Sequence, residues 1–258
     1  MFIIHYCTTL KKKKKLILSK PKTTCYTLNI INESIIAGGT KMILYIIRHA
    51  DPDYENNTIT PFGWEEAHAL ADYMKDITID KIYTSPMGRA IDTATPTCKI
   101  KGMEPTILPW TAESMDYMDS HRLSPESQCS YKFSLQKGVY DFEDFMPTDR
   151  MKTIEEMRRN SDDFLASLGY VREGIFYKVT RPNEERIAVF CHGGFGLEWI
   201  SHLLGIAPGL MYPTVTINTT SITTFEFSNS MDGYIRPNLK RLNEIQHIYQ
   251  AGLRINER

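Results

Sequence analysis

The residues of this chain best equipped for chemistry are Arg48-His49, Arg89 within Ser85-Pro86-Met87-Gly88-Arg89-Ala90, Glu113, and His192-Gly193-Gly194. Together they make a kit for moving a phosphoryl group. A dianionic phosphoryl group needs fixed positive donors, and the planar fork of arginine matches its oxygens; Arg48 and Arg89 fit that role. Imidazole is largely neutral near pH 7, so it can attack phosphorus without first losing a proton to a separate base. His49 is the nucleophile on this reading. His192, facing the same phosphate, hydrogen-bonds an equatorial oxygen and stabilises charge spread over it in the transition state. The leaving alkoxide needs a proton, which Glu113 gives if burial raises its pKa; water then attacks the phosphohistidine with Glu113 as base. Glycines after His192 let the backbone approach closely and expose amide donors near a helix start, so Gly193 joins Arg48, Arg89 and His192 in an anion-binding cup.

These residues must converge, and the pattern of the chain supplies a way. From Met42 onward, apolar runs of strand length alternate with segments of helical period, which predicts an α/β three-layer sandwich: a mainly parallel mixed sheet flanked by helices. Ile43 to Ile47 is continuously apolar, as a central strand buried on both faces should be. Thr60-Pro61 offers an N-cap followed by proline at the first helical position, and Trp64, Ala67, Leu70, Ala71 and Met74 recur at helical spacing as a core stripe. Lys81 to Thr84 is a second strand, after which Ser85-Pro86 starts a second helix that Pro96 ends or kinks. Thr106 to Leu108, Arg186 to Cys191 and Ser221 to Phe227 complete the strands, and Asp232-Gly233 predicts a turn into Tyr234 to Leu242, an antiparallel edge hairpin. Thr153 to Leu168 is a helix with Ile154, Met157, Phe164, Leu165 and Leu168 on its apolar side. Open α/β sheets bind ligands beyond the carboxyl ends of their strands. Arg48-His49, Ser85 to Arg89 and His192-Gly193 each follow a strand, so they share one rim.

Periodicity fails between Ser114 and Pro147, directly after Glu113, and a long irregular insertion of this kind is expected to act as a lid around 114–147. Tyr117, Phe133, Tyr140 and Phe142 are among its aromatic residues, read as shaping the substrate space or as simple packing. Cys191 ends an apolar strand and is read as core. His68, His121, His202 and His247 lack a motif context and are read as surface or structural residues.

Composition narrows the partners. The 258 residues are 42% hydrophobic and 24% charged, with 30 basic and 31 acidic side chains for a net charge of -1. No overall field exists to hold a nucleic acid, so anion specificity is local. The cysteines number 5, are scattered and lack a close-spaced metal or redox pair, which suits a reducing, cytoplasmic setting. No apolar run approaches the roughly 20 residues that cross a bilayer, so no membrane partner is expected.

Residues 1–41 differ in texture, with the run Lys11 to Lys15 and a threonine-rich stretch. The lysines follow the short Phe2-Ile3-Ile4 patch instead of preceding a long apolar segment, which argues against export. Codons for Gly38-Gly39 can spell a ribosome-binding sequence just ahead of Met42. The leader is therefore expected to be disordered translated upstream sequence, with Met42 the native start and 42–258 the functional domain.

The order of motifs resembles the histidine phosphatase superfamily, also called phosphoglycerate mutase-like proteins, whose hallmark is Arg-His-Gly after the first strand. Here that signature stands as Arg48-His49-Ala50, followed in the family's order by Thr60-Pro61-Phe62-Gly63, Ser85-Pro86-Met87-Gly88-Arg89-Ala90 and His192-Gly193-Gly194. The resemblance implies a phosphate pocket of Arg48, His49, Arg89 and His192, Glu113 as proton donor, and no metal or other cofactor. Ala50 replaces the usual glycine, which is tolerable if its φ is negative. The segment Asp51 to Asn57 lacks the mutase-type sequence, so substrate contacts there do not transfer.

The expected activity is a metal-independent phosphatase acting on a small-molecule phosphate ester, with a phosphoprotein as the other open substrate class. The alternatives are a phosphoglycerate-type mutase and a non-catalytic phospholigand-binding module. The expected assembly is a monomer or a homodimer, the latter through the edge hairpin.

Overall fold

The strand that ends in Arg48-His49 runs through the middle of a six-stranded sheet. The computed structural model describes residues 41–119, 132–134, 139–141, 148–206, 208–228 and 233–256. The sheet is built from β1 (Lys41–Arg48), β2 (Lys81–Thr84), β3 (Thr106–Ile107), β4 (Arg186–Cys191), β5 (Ile222–Ser228) and β6 (Asn238–Glu244), in the order β6-β5-β1-β4-β2-β3. β1, β4, β2 and β3 are mutually parallel, whereas β5 pairs antiparallel with both of its neighbours, β1 and β6. The flanking helices are α1 (Pro61–Met74), α2 (Gly88–Lys101), α3 (Thr148–Ser167) and α4 (Gly193–Leu204).

Side chains alternate across a strand, so β1 feeds both faces of the sheet. Leu44 and Ile46 join a core with Ile154, Leu165, Val189, Trp199 and Phe225, under α3 and α4. Tyr45 and Ile47 join the opposite core with Leu70, Met74, Ala94, Cys98 and Phe190, under α1 and α2. The result is the three-layer α/β sandwich with a mainly parallel mixed sheet that the sequence pattern predicts. The leader reading for residues 1–40 lies outside the described residues. Lys41 belongs to β1, one residue before the expected start, and its ammonium pairs with Glu226 at 2.9 Å.

The Thr60 cap forms as read: its side chain accepts the Gly63 N–H at 3.0 Å, with proline in the first turn. Other details differ. α2 begins at Gly88, three residues beyond Ser85, and its N-cap Met87 makes no side-chain capping bond. Ser85 is taken up elsewhere, since its hydroxyl pairs with His192. Pro96 neither ends the helix nor marks its boundary. α2 continues to Lys101, keeping Thr97 and Cys98 buried, and stops at Gly102 in the left-handed conformation (φ 63°). The partner of β5 is β6, whereas Tyr234–Ile235 pairs with Phe176–Val179 in a separate three-stranded sheet. The edge is antiparallel as expected, but the chain visits another sheet before returning to it.

The hairpin of Tyr170–Glu173 and Phe176–Val179 is a further difference from the sequence reading. Within the expected lid, the described residues contain a short helix, Met115–Asp119, and the pair of strands Lys132–Ser134 and Val139–Asp141. Phe142 and the rest of that segment lie outside the described residues. Tyr117 is buried, with its ring 5.9 Å from that of Phe195, which favours packing for this residue. No helix among the described residues is long and apolar enough to cross a membrane.

Candidate active site

Register places the chemistry. In the parallel pairing Arg48 lies opposite Cys191, and the His49 N–H donates to the Cys191 carbonyl at 2.9 Å. The Ser85 N–H donates likewise to the Phe190 carbonyl at 2.9 Å. Three neighbouring strands, β1, β4 and β2, therefore end level, and the residues that follow them meet on one rim. The rings of His49 and His192 stand 5.2 Å apart between centroids, and both side chains are buried. Arg48, His49, Arg89, Glu113, Gly193 and Gly194 open onto one cavity of about 660 Å³.

The tautomer of His49 follows from its partner. Nδ1 lies 2.7 Å from the Ala50 carbonyl oxygen, which can only accept, so Nδ1 carries the hydrogen and Nε2 keeps the lone pair. That is the arrangement a nucleophile needs. His192 Nε2 lies 2.7 Å from the Ser85 hydroxyl, which also accepts the Met87 N–H at 3.3 Å. The hydroxyl proton is then available to Nε2, which puts the His192 hydrogen on Nδ1. His192 Nδ1 and Arg89 Nε are buried with no hydrogen-bond partner among the described residues. Buried donors of this kind are costly unless something occupies them, and an anion would.

Burial holds the His49 imidazolium down, so its pKa falls to about 3, with Arg48 adding repulsion. His192 falls to about 2, again from burial first and then from His49 and the arginines. Both rings are therefore neutral near pH 7 in the free protein. We expect that neither ring titrates between about pH 5 and about pH 8 in the free protein, and that inorganic phosphate raises both values because its charge favours the imidazolium. NMR of the ring protons against pH, with and without phosphate, checks this; ordinary titration of His49 near pH 6.5 in the free protein would contradict it.

Glu113 corrects one expectation. Its Oε2 accepts the Gly194 N–H at 3.0 Å and its Oε1 accepts the Phe195 N–H at 2.8 Å. The first amides of α4 were expected to cup the substrate anion; instead these two hold a carboxyl group, because a helix N-terminus serves any nearby carboxylate. Gly193 stays in the cavity wall. A Cβ there would meet Arg48 Nε at 3.2 Å, so glycine lets the guanidinium lie against the backbone. Burial raises the Glu113 pKa, while the two amides and Arg89 pull the other way. The carboxyl is thereby both oriented and kept protonated to higher pH than a solvated glutamate.

Several supporting residues were not singled out by motif. Arg48 donates to the Ile217 carbonyl at 2.7 Å. Arg89 reaches Asn57 Oδ1 at 3.4 Å and Met87 Sδ at 3.2 Å, and lies 5.4 Å from the Tyr54 ring centroid. Ala50 donates to Thr93 Oγ1 at 2.9 Å and does not adopt positive φ, so the departure from glycine is accommodated. Buried Glu66 accepts from the Asp51 N–H at 2.7 Å and from the Thr219 hydroxyl at 2.5 Å, tying the loop after His49 to the loop before β5. Thr220, a β-branched residue at φ 54°, donates its N–H to the His49 carbonyl at 3.3 Å, while its hydroxyl pairs with buried His247 at 2.9 Å. Holding threonine there costs roughly 1–3 kcal/mol, which the surrounding bonds offset. These contacts join residues far apart in the chain, so local spacing carries no sign of them. Ala50, Ser85 and Met87 lie within the quoted motifs and Asn57 in the loop after His49, but their contacts were not part of those motifs.

The other readings resolve simply. Cys191 is buried with its thiol pushed upward by burial, consistent with core packing. His202 and His247 are buried structural residues, the former bonded to Asp162 at 2.9 Å. His68 is exposed, and His121 lies outside the described residues.

Gly88 joins the first turn of α2 to the loop carrying Asn57. A Cβ at Gly88 would collide with the Asn57 carbonyl oxygen, a backbone atom that cannot swing aside. Gly88→Ala should lower stability by about 1–3 kcal/mol, measured as a shift of the urea midpoint. An unshifted midpoint would show that the loop yields freely.

Comparison with solved structures supports the same architecture. Phosphoserine phosphatase from Entamoeba histolytica, in complex with 3-phosphoglyceric acid, matches at 21% identity and a TM-score of 0.54, over 80% of this chain and 99% of that one. A phosphoglycerate mutase from Bacillus anthracis matches at 16% identity and a TM-score of 0.53, over 83% and 98%. A mycobacterial glucosyl-3-phosphoglycerate phosphatase matches at 16% identity and a TM-score of 0.52, over 79% and 99%. No curated protein matches the sequence. At these identities the structures speak for the fold alone. The family model for the histidine phosphatase superfamily (branch 1) matches residues 44–240, from the middle of β1 into β6, and the chain belongs to that superfamily.

Proposed function

We propose that this protein is a phosphatase that hydrolyses a phosphate monoester through a covalent phosphohistidine on His49. The observation that carries the reading is the His49 ring, fixed by Ala50 with Nε2 as its lone-pair nitrogen, beside His192 and in a cavity shared with Arg48 and Arg89. Arg48 and Arg89 bind the phosphoryl oxygens, and His192, with Gly193, stabilises the charge they carry as the ester bond lengthens. Nε2 of His49 attacks phosphorus while the P–O bond to the alcohol breaks. Glu113 delivers its proton to the departing oxygen, then as carboxylate takes a proton from the water that attacks the phosphohistidine. That attack breaks the P–N bond, releases inorganic phosphate and restores neutral His49 and protonated Glu113.

The names of the similar structures, two phosphatases and one mutase, agree with this reaction class. A mutase needs the phosphoryl group returned to an alcohol instead of water. The segment Asp51 to Asn57 lacks the mutase-type sequence, which favours hydrolysis. The cationic and imidazole groups supply the needed charge from side chains, so we propose turnover without a metal. The test is steady hydrolysis of an aryl phosphate in the presence of a chelator, with a rapid-quench search for acid-labile phosphoenzyme. Phosphate bound tightly with no turnover over a broad ester panel would instead favour a phospholigand-binding module, and dependence on bisphosphoglycerate would favour the mutase.

A further inference from the structure

The walls of the cavity are mixed in character. Besides Arg48, His49, Arg89 and Glu113, the lining includes Tyr54, Met115, Leu197, Tyr212, Val215 and Ile217, whose apolar surface is what the alcohol portion of an ester would pack against. Among the described residues the only cations lining it are Arg48 and Arg89, which the proposed mechanism assigns to the phosphoryl group. Among the described residues, a substrate carboxylate would therefore enter with no positive partner beyond the two arginines that hold the phosphoryl group. Hydroxyl-rich leaving groups fare little better. The Tyr212 hydroxyl donates to the Gly194 carbonyl at 2.5 Å, which leaves Thr216 and the exposed Tyr54 as the remaining hydroxyls of the lining. A buried polar group without a hydrogen-bond partner is penalised, and apolar surface removed from water is rewarded. At about 660 Å³ the cavity has room for a phosphate and a ring or branched chain together.

We infer that the substrate is a phosphate monoester of an uncharged, apolar alcohol, with an aromatic ring or branched hydrocarbon close to the ester oxygen. The inference rests on the phosphatase reading and adds the class of leaving group. Phosphoserine and phosphoglycerate, whose carboxylates find no further cation among the described residues of the cavity, should be poor substrates. The aromatic version of this chemistry has two sources, a free small molecule and a phosphotyrosyl side chain in a peptide.

The test compares esters of matched alkyl leaving ability, so that chemistry does not masquerade as recognition. Phenethyl phosphate should exceed glycerol phosphate, phosphoserine and 3-phosphoglycerate in kcat/KM by roughly 30-fold or more, the discrimination expected when an apolar group fills an apolar site. Met115 is 66% exposed, so Met115→Lys should fold and supply the missing cation. It should raise kcat/KM for 3-phosphoglycerate relative to phenethyl phosphate by roughly tenfold. A phosphotyrosyl peptide measured against free phenyl phosphate separates the two sources: a better peptide supports the aromatic class on a protein, a better free ester supports it on a small molecule. Preference for 3-phosphoglycerate or phosphoserine over phenethyl phosphate would overturn the inference while leaving the phosphatase reading intact. Failure to hydrolyse any ester, activated aryl phosphates included, would overturn both.

Discussion

Replacing His49 with alanine should remove the phosphoenzyme and lower kcat for an aryl phosphate by at least about 10³-fold. The expected loss is large because neither of the other candidate nucleophiles among the described residues can take over the attack. Cys191 is fully buried with its thiol pKa raised, so it is neither accessible nor ionised. His192 has its Nε2 engaged with Ser85, which leaves on Nδ1 a hydrogen instead of a lone pair. Arg48 and Arg89 remain in place, each held by neighbours that do not involve His49: the Ile217 carbonyl for Arg48, and Asn57 with Met87 for Arg89. Phosphate affinity should therefore fall far less than kcat. Rapid quench of the wild type and variant, with inorganic phosphate binding measured alongside by calorimetry, separates the two quantities. A variant that turns over at the wild-type rate would remove His49 from the mechanism, and one that loses phosphate binding in parallel with kcat would make it a binding residue instead.

The parts of this molecule that were legible in advance are those whose cause is local. Ile43 to Ile47 is apolar on both faces because β1 is covered on both faces, and Thr60-Pro61 caps α1 by contacts within a single turn. The convergence of Arg48, His49, Arg89 and His192 could be read because parallel strands of similar level place their carboxyl ends together, a rule of topology that needs no contact list. What escaped was set by long-range contacts. Ser85-Pro86 has the form of a helix start, yet the Ser85 hydroxyl is bonded to a ring 107 residues away and the helix begins later. Asp232-Gly233 has the form of a hairpin turn, but Tyr234–Ile235 finds a better partner in Phe176–Val179, strands that the sequence pattern did not announce. The glycines after His192 do expose amides at a helix start. That the occupant is Glu113, 81 residues earlier, depends on how the turn at Pro109–Thr111 delivers it.

That delivery makes Glu113 the residue whose replacement should be most informative about mechanism. Glu113→Gln preserves size, but an amide cannot accept from both the Gly194 and the Phe195 N–H; its own NH₂ must face one of them. The variant therefore loses the proton and part of the anchoring together, and a single rate cannot tell these apart. Leaving groups can. An aryl phosphate departs as a stable phenolate and needs little help from an acid, so its rate should fall by no more than about tenfold, the share that anchoring controls. An alkyl phosphate must leave as an alcohol and should fall by roughly 10²–10⁴-fold. The pH profile supplies a second axis. Burial raises the Glu113 pKa, so the protonated, donating form survives above the ordinary carboxylic range and is lost as pH rises through the folded value. Alkyl ester turnover by the wild type should therefore decline on the alkaline side of that value, and the decline should vanish in the variant because glutamine has no proton to lose. In kcat/KM, which reports the free enzyme, His49 is already neutral and imposes no opposing limb until far lower pH. Equal losses on aryl and alkyl esters, or an alkaline limb that persists in Glu113→Gln, would mean that another group carries the proton and that Glu113 serves only to order the start of α4.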